Sequence, residues 1–331
     1  MKKALVVGLG NIAKRHINNL TQLYPEIAVI CISASGRKIE TDEVNAGMTT
    51  DSLDSLNLDA FDMAIVASPA PFHLKHTRPL VSANIPVLIE KPLCTELSEV
   101  HDPIFFKPEA KIGVGYNLRF MPSALRVKQI LNEGLLGQIS TVFSEVGQYL
   151  PDWRPNSDYR IGVSAQRKLG GGALLELSHE LDYLNWMFGS FTQVSAKMRT
   201  SKQLEIDVED SVDALLINDE SVLFHLHLDF LQKKPSRSLK IIGENGTLIW
   251  DLIDNTIVLS ACKETSQIIY SDPDYDRNEM YLQQLRTFAG FTNGTEQFSS
   301  TIYSAFDVMK LIEAIRLSDR NGCWIKTEDL F

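Results

Sequence analysis

The stretch ALVVGLGNIA, residues 4–13, limits the fold of this chain more than any other. Residues 4–7 are a short, fully apolar run of the kind buried on both faces of a parallel sheet. Gly8, Gly10 and Ala13 follow in G-x-G-x-x-G/A spacing, and a helical pattern runs from about Ile12 to Leu23. Gly8 permits a tight turn, and Gly10 leaves room for a pyrophosphate against the backbone. Ala13 lets helix and strand pack closely, and Asn11 and Ile12 open the helix whose N-terminus faces the phosphates. A glycine triplet alone is weak; a strand before it and a helix after it make a dinucleotide site the expectation.

The second apolar run, IAVICIS (27–33), ends where an Asp or Glu would hold the ribose, ~20 residues past the glycines. The chain instead reads Ser33-Ala34-Ser35-Gly36-Arg37-Lys38. A carboxylate would repel a 2′-phosphate, whereas hydroxyls and a guanidinium would hold one. Ser33, Ser35 and Arg37 therefore point to NADP in preference to NAD. The alternative is that Arg37 and Lys38 are solvated loop charges and neutral serines accept either cofactor.

FDMAIVASP (61–69), IPVLIEKPL (85–93) and KIGVGYNLRF (111–120) continue the strand pattern, with helical FHLKHTRPLVSAN between the first two. Alternating strands and helices predict an α/β, doubly wound parallel sheet that binds ligands at the strands' carboxyl ends. Ser68, Pro69, Glu90, Lys91, Tyr116 and Asn117 stand at such ends, and His73 reads as structural, near the cofactor.

With 331 residues the chain suits two domains. The pattern changes after Phe120, so residues 1–120 are expected to form the dinucleotide domain and 121–331 a substrate-binding and oligomerisation domain. Residues 122–134 read as a helix. Strands follow at 139–150, 192–200, 211–218 and 221–231, with a hairpin over 238–252 turning at Asn245-Gly246. This succession predicts a large open, mostly antiparallel sheet with one face covered by helices or a second subunit. The last helix is expected at about Thr301 to Asp319.

No apolar run is long enough to span a membrane. The opening MKKALVV imitates a secretory signal, but its apolar run is short and leads into the glycine motif. Cys31, Cys94, Cys262 and Cys323 lie far apart and read as reduced thiols of a cytoplasmic protein. A net charge of -10 argues against nucleic acid or an anionic membrane as partner.

The segment GGGALLELSHELDYLNWMFG (170–189) sets acids and a histidine among leucines after a glycine triplet. Read as one helix over 173–188, it places Glu176 and Glu180 beside His179. The triplet allows close approach to another backbone or a ligand. The segment is expected to present one imidazole, flanked by carboxylates, toward a cleft, where it can exchange a proton near neutral pH.

GxGxxA at the N-terminus, Glu90-Lys91-Pro92, Gly115 to Phe120, and GGG leading to H-x-x-D together resemble the Gfo/Idh/MocA oxidoreductases, which include glucose-fructose oxidoreductase and inositol dehydrogenase. The resemblance spans nearly the whole chain. It implies a Rossmann domain followed by an α/β domain with a large open sheet, NAD(P)-dependent redox of a sugar-like compound, and a homodimer or homotetramer. It also implies that Lys91 holds the reacting oxygen and His179 is the general acid/base. Inositol dehydrogenase-like members carry an Asp four residues before that histidine. Leu175 stands there in this chain, and Glu176 is the candidate helper.

The loop 151–168 has four cations, Arg154, Arg160, Arg167 and Lys168, against Asp152 and Asp158. Trp153 and Tyr159 add flat faces suited to a sugar ring, and with Tyr116, Arg119 and Arg160 they complete the expected substrate-binding set. An anionic or nucleotide-linked sugar would suit this loop; a solvated charged loop is the plain alternative. His225, His227 and Asp229 alternate on one strand, but without a further ligand pair they read as a polar sheet face, and no metal is expected. Two other readings stay open: an imine or biliverdin-type reductase on the same scaffold, and a non-catalytic NADP-binding regulator.

Overall fold

The computed structural model describes residues 1–330 except 38, 40–47, 51 and 262–264; Lys38 and Cys262 lie outside the described residues. In chain order the elements are β1 (Lys3–Val7), α1 (Asn11–Leu23), β2 (Ala28–Ile32), β3 (Met48–Thr50), β4 (Met63–Val66), α2 (His73–Ser82), β5 (Val87–Ile89) and β6 (Ile112–Val114). Then come α3 (Pro122–Asn132), β7 (Ile139–Gly147), α4 (Ala173–Glu176), α5 (His179–Phe188), β8 (Phe191–Arg199), β9 (Ser211–Asn218) and β10 (Leu223–Asp229). The last group is β11 (Ser236–Gly243), β12 (Gly246–Asp251), β13 (Thr256–Ala261), β14 (Gln267–Ser271), α6 (Glu279–Thr292), α7 (Ile302–Asn321) and β15 (Ile325–Lys326).

The chain forms two compact units. The first is Met1–Phe120 with Arg277–Phe306, and the second is Met121–Asp276 with Asp307–Phe331. In the first unit a parallel sheet runs β3-β2-β1-β4-β5-β6. Its central strands are apolar throughout because both faces are covered: Leu5, Val6, Ile65, Leu88 and Ile89 have no exposed surface. Strands β2 and β4 flank β1, both in parallel pairing with it, and the strand order reverses between β1 and β4. That is the switch point beside which doubly wound sheets bind ligands.

Arg277–Phe306 packs within the first unit. Lys111 Nζ donates to the Thr292 carbonyl, and Gly113 pairs with Thr301. A Cβ on Gly113 would lie 2.6 Å from Phe298 and 2.9 Å from Phe288, so only glycine lets these rings reach the sheet.

In the second unit nine strands are ordered β14-β13-β12-β11-β7-β10-β9-β8-β15. All neighbours are antiparallel except β7 and β10, which pair in parallel. One face is closed: Val142, Ser144, Leu226, Leu239, Ile241 and Trp250 are buried, and Tyr183 of α5 donates to or accepts from Ser144 Oγ at 2.8 Å. The other face is open, with Phe143, Ile249 and Lys240 exposed along it. No helix among the described residues is long and apolar enough to cross a membrane.

Candidate functional site

The glycine turn is built as its sequence predicts. Gly8 has φ +135°, and a Cβ there would stand 2.4 Å from the carbonyl oxygen of Ala67, just past β4, so the backbone there fixes this residue as glycine. A Cβ on Gly10 would meet nothing within 4 Å. Gly10 caps α1, whose first turn has no side-chain cap and no acidic residue. The N–H groups of Asn11 and Ile12 therefore have no capping side chain, and the helix end favours an anion. Open space at Gly10 beside an uncapped helix start fits a pyrophosphate.

At the end of β2, Ser33 and Ser35 bond to one another through their hydroxyls at 3.0 Å. Gly36, at φ +71°, turns the chain so that Ser35 and Arg37 are exposed. The described part of this turn carries hydroxyls and a guanidinium and no carboxylate.

At the ends of β4 and β5, two histidines organise the cradle. His73 is buried, and its ring nitrogens face two carbonyls, Pro92 at 2.8 Å and Ser68 at 2.7 Å. Burial pushes its pKa below the ordinary value, with the two carbonyls and the Glu90 charge pulling the other way. His76 Nδ1 lies 3.0 Å from Ser68 Oγ. Ser68 and His73 thus brace the strand ends on either side of Pro69 and Lys91. Glu90 is buried, and its Oε1 is 2.5 Å from Nε2 of the fully buried His16 on α1. Asn117 is also buried here.

Tyr116 and Arg119 sit differently from the substrate-facing role expected of them. Tyr116 has no exposed surface, and Arg119 is 2% exposed with Nη1 donating to the Ser299 carbonyl at 2.5 Å. Residues 117–120, which include Arg119, form a 3-10 turn rather than a continuation of the strand.

In the second unit, the single helix expected over 173–188 is two. The α4 segment ends at Glu176, Leu177 leaves helical geometry, and α5 begins at His179. Ser178 Oγ donates to the Leu175 carbonyl at 2.9 Å and stabilises the break. Glu176 ends α4 and His179 begins α5, and both are half-buried.

Glu180 does not flank His179 as expected. It is fully buried, and its carboxylate receives Arg237 Nε at 2.7 Å and Nη2 at 3.1 Å. The glycine triplet also has a specific cause. A Cβ on Gly171 would lie 2.4 Å from the Val163 carbonyl, and one on Gly172, at φ +114°, 2.2 Å from Glu209 Oε1. Glu209 accepts from Leu174 N at 3.1 Å, so its carboxylate caps α4, and burial raises its pKa.

The loop over 151–168 is held by its own aromatic and charged groups. Trp153 Nε1 donates to the Gln148 carbonyl, and its ring stands edge-on to Phe230. Tyr159 OH donates to Leu204 O at 2.9 Å. The Arg160 fork is taken by Asp158, at 2.9 and 3.1 Å, and by Glu205 at 3.1 Å. Arg154 and Lys168 are exposed.

On the open sheet face, His227 lies between Asp213 (2.6 Å) and Asp229 (2.9 Å), and His225 stacks on Phe143 at 4.4 Å. No group of three or more His, Cys, Asp or Glu side chains placed to hold a metal ion occurs among the described residues. Sequence reasoning missed His16, Glu209 as a cap and Arg237. Each acts through a partner 35 to 74 positions away, at distances that local periodicity does not report.

Comparison with known proteins agrees with this architecture. Residues 2–104 match the family model for an oxidoreductase family with an NAD-binding Rossmann fold, and residues 124–249 match the Gfo/Idh/MocA C-terminal domain. An uncharacterized oxidoreductase of Synechocystis sp. is 31% identical over 200 residues, 56% of this chain and 53% of that protein. The NADP-dependent scyllo-inositol 2-dehydrogenase of Bacillus subtilis is 25% identical over 198 residues, 58% of this chain and 49% of that protein. The chain spans about half the length of the curated relatives it matches. A levoglucosan dehydrogenase in complex with NADH and L-sorbose shares the fold, with a TM-score of 0.85 over 99% of both chains at 16% identity. The two matched models follow one another along the chain, the first over β1 to β5 and the second over β7 to β11; the chain belongs to the Gfo/Idh/MocA oxidoreductase family, its NAD-binding Rossmann module first and the family's C-terminal domain after it.

Proposed function

We propose that this protein is a cytoplasmic oxidoreductase that moves a hydride between NADP(H), or NAD(H), and a CH–OH or carbonyl carbon of a sugar-like molecule. The observation that carries the reading is the cradle of the first unit: a glycine turn open at Gly10, an uncapped α1, and Lys91 at the braced end of β5. Bound nicotinamide supplies the hydride acceptor or donor. Asn11 and Ile12 hold its pyrophosphate through their backbone N–H groups, and Ser35 and Arg37 hold the ribose 2′-substituent. Ser33, Ser68, Pro69, His73, Glu90 and Asn117 shape the walls around it.

Alcohol oxidation removes a proton from oxygen as hydride leaves carbon, so a base must reach the hydroxyl. In this reading His179 is that base, and returns the proton in the reverse direction. Lys91 stabilises charge growing on the oxygen, and Glu176 assists His179. Arg160 is already engaged by Asp158 and Glu205, so in this reading an anionic substituent on the sugar is met by Arg154 and Lys168.

Two or four copies assemble through the open sheet face, where Phe143 and Ile249 are exposed. Sedimentation velocity tests the assembly: a dimer or tetramer agrees, and a monomer contradicts it. The reaction is tested by following reduced-nicotinamide absorbance with sugars, cyclitols and nucleotide sugars, each offered with NADP and with NAD. Turnover with at least one, and a higher kcat/KM for NADP, is expected. Tight cofactor binding with no turnover would instead favour a regulator.

A further inference from the structure

We propose that His16 and Glu90 are a positioning pair for Lys91. The proposal rests on the reading above that Lys91 acts at the reacting oxygen. Glu90 directly follows β5, and its backbone N–H bonds to the Val66 carbonyl at 2.8 Å, which fixes its Cα on the sheet. Both carboxylate oxygens are then committed. Oε1 accepts from His16 Nε2 at 2.5 Å, and Oε2 lies 3.3 Å from the Lys91 backbone N–H. A carboxylate held at both oxygens cannot rotate freely, so the root of the Lys91 side chain is fixed at its own peptide.

Three neighbours are arranged around this pair. His16 is fully buried, and its Nδ1 has no hydrogen-bond partner among the described residues, so Nε2 is the ring nitrogen that donates, directed at Glu90. Gly115 lies beside the carboxylate; a Cβ there would be 3.0 Å from Glu90 Oε2 and 3.1 Å from its Cδ. Any larger residue at 115 would push the carboxylate away. Tyr281 of α6 meets the His16 ring edge-on at 6.2 Å, and the Arg15 guanidinium stands 4.6 Å over the Tyr281 ring. The pair is thus shut away from solvent in a setting where a hydrogen bond to a charge is strong.

His16 sits on the same helix whose first turn faces the phosphates, one turn after Ala13. One helix therefore both holds the cofactor and, through Glu90, sets the lysine. Lysine is a point charge on a flexible four-carbon stem, so its aim depends on how firmly its backbone is held. Misplacement of a reacting group by about 1 Å can cost about 100-fold in rate.

The test compares His16→Leu, which deletes the donor, with His16→Gln, whose amide nitrogen can reach the same oxygen. In His16→Leu, kcat is expected to fall about 10- to 100-fold while KM and the NADPH dissociation constant stay within about twofold. His16→Gln is expected to recover most of that loss. A readout independent of turnover is the 13C-dimethyl-lysine spectrum of the methylated protein, with the Lys91 signal identified by its loss in Lys91→Arg. That signal should move in His16→Leu and return toward wild type in His16→Gln. An unmoved Lys91 signal in His16→Leu overturns the proposal, whatever the enzyme's substrate. A moved signal with unchanged kcat upholds the pair and instead counts against Lys91 acting at the oxygen. Should His16→Leu fail to fold, Glu90→Gln is judged by the same signal and the same outcomes.

Discussion

Glu180 and Arg237 form a two-pronged ion pair, at 2.7 and 3.1 Å, between the first turn of α5 and strand β11. Glu180 is fully buried and Arg237 is 19% exposed in its side chain. The pair anchors the helix that carries His179 to the sheet beneath it. Its charge also reaches Tyr183, whose hydroxyl is pushed far above its ordinary pKa by burial first and by Glu180 second. Removing one partner leaves a buried charge alone, which costs about 3–5 kcal/mol. Glu180→Leu and Arg237→Met are each expected to lower Tm strongly, and the double variant to lower it less than either one. Urea unfolding of the three proteins checks this; additive losses would contradict it.

Gly10 separates cofactor binding from folding. Its Cβ position is open, and its φ of -69° suits any residue. Gly10→Val should therefore leave unfolding free energy within about 0.5 kcal/mol of wild type. It should weaken NADPH binding by at least about tenfold, or about 1.4 kcal/mol, because the branched side chain fills the space meant for the pyrophosphate. Fluorescence titration with NADPH measures the effect. Equal affinity in both proteins would place the cofactor elsewhere.

Much of the first unit was legible from local pattern. Strands β1, β2, β4 and β5 are short and buried on both faces, so their residues are apolar without alternation, and the glycine turn has requirements set by its own φ and its immediate neighbours. Features made by distant partners were not legible. The break at Leu177–Ser178 lies inside a continuous helical pattern and comes from Ser178 bonding to Leu175, while Glu209 caps the preceding segment. Arg119 read as a ligand-facing cation because Ser299, which takes its guanidinium, is 180 residues away. Strand β3 has only three residues, and the exposed positions of β14 carry no clear alternation. Neither stood out in the sequence.

His227 makes stability depend on alkaline pH. Hydrogen bonding to Asp229 raises its pKa to about 9; burial opposes this, and Asp213 adds to it. An unfolded histidine titrates near about 6.5. The folded state therefore holds this proton more tightly, and the contribution is full below about 6.5 and lost as pH rises through about 9. Wild type should exceed His227→Asn in Tm at pH about 6, and the difference should close above about pH 9.5. A difference that does not change with pH would contradict the charged state of His227.

Arg160 and Arg154 should differ in their effects on substrate choice. Arg160 is engaged by Asp158 and Glu205, and hydrogen bonding to Asp158 holds its pKa above the ordinary value. Arg160→Ala should leave the ratio of kcat/KM for phosphorylated over neutral sugars unchanged. Arg154→Ala should lower that ratio by about 1–2 kcal/mol, or about 5- to 30-fold, if an anion is met at this loop. Equal ratios in both variants and wild type would remove the anionic substituent from the account.

The roles given to Lys91 and His179 are tested most directly by single-turnover hydride transfer in Lys91→Met, His179→Asn and the double variant, with NADPH binding measured alongside. The account predicts a loss of about 100-fold or more in each single variant at nearly unchanged cofactor affinity. It also predicts a double-variant loss well short of the product of the two, since the proposed roles serve a single proton-and-hydride step. Transfer rates within a few-fold of wild type in either single variant would contradict it.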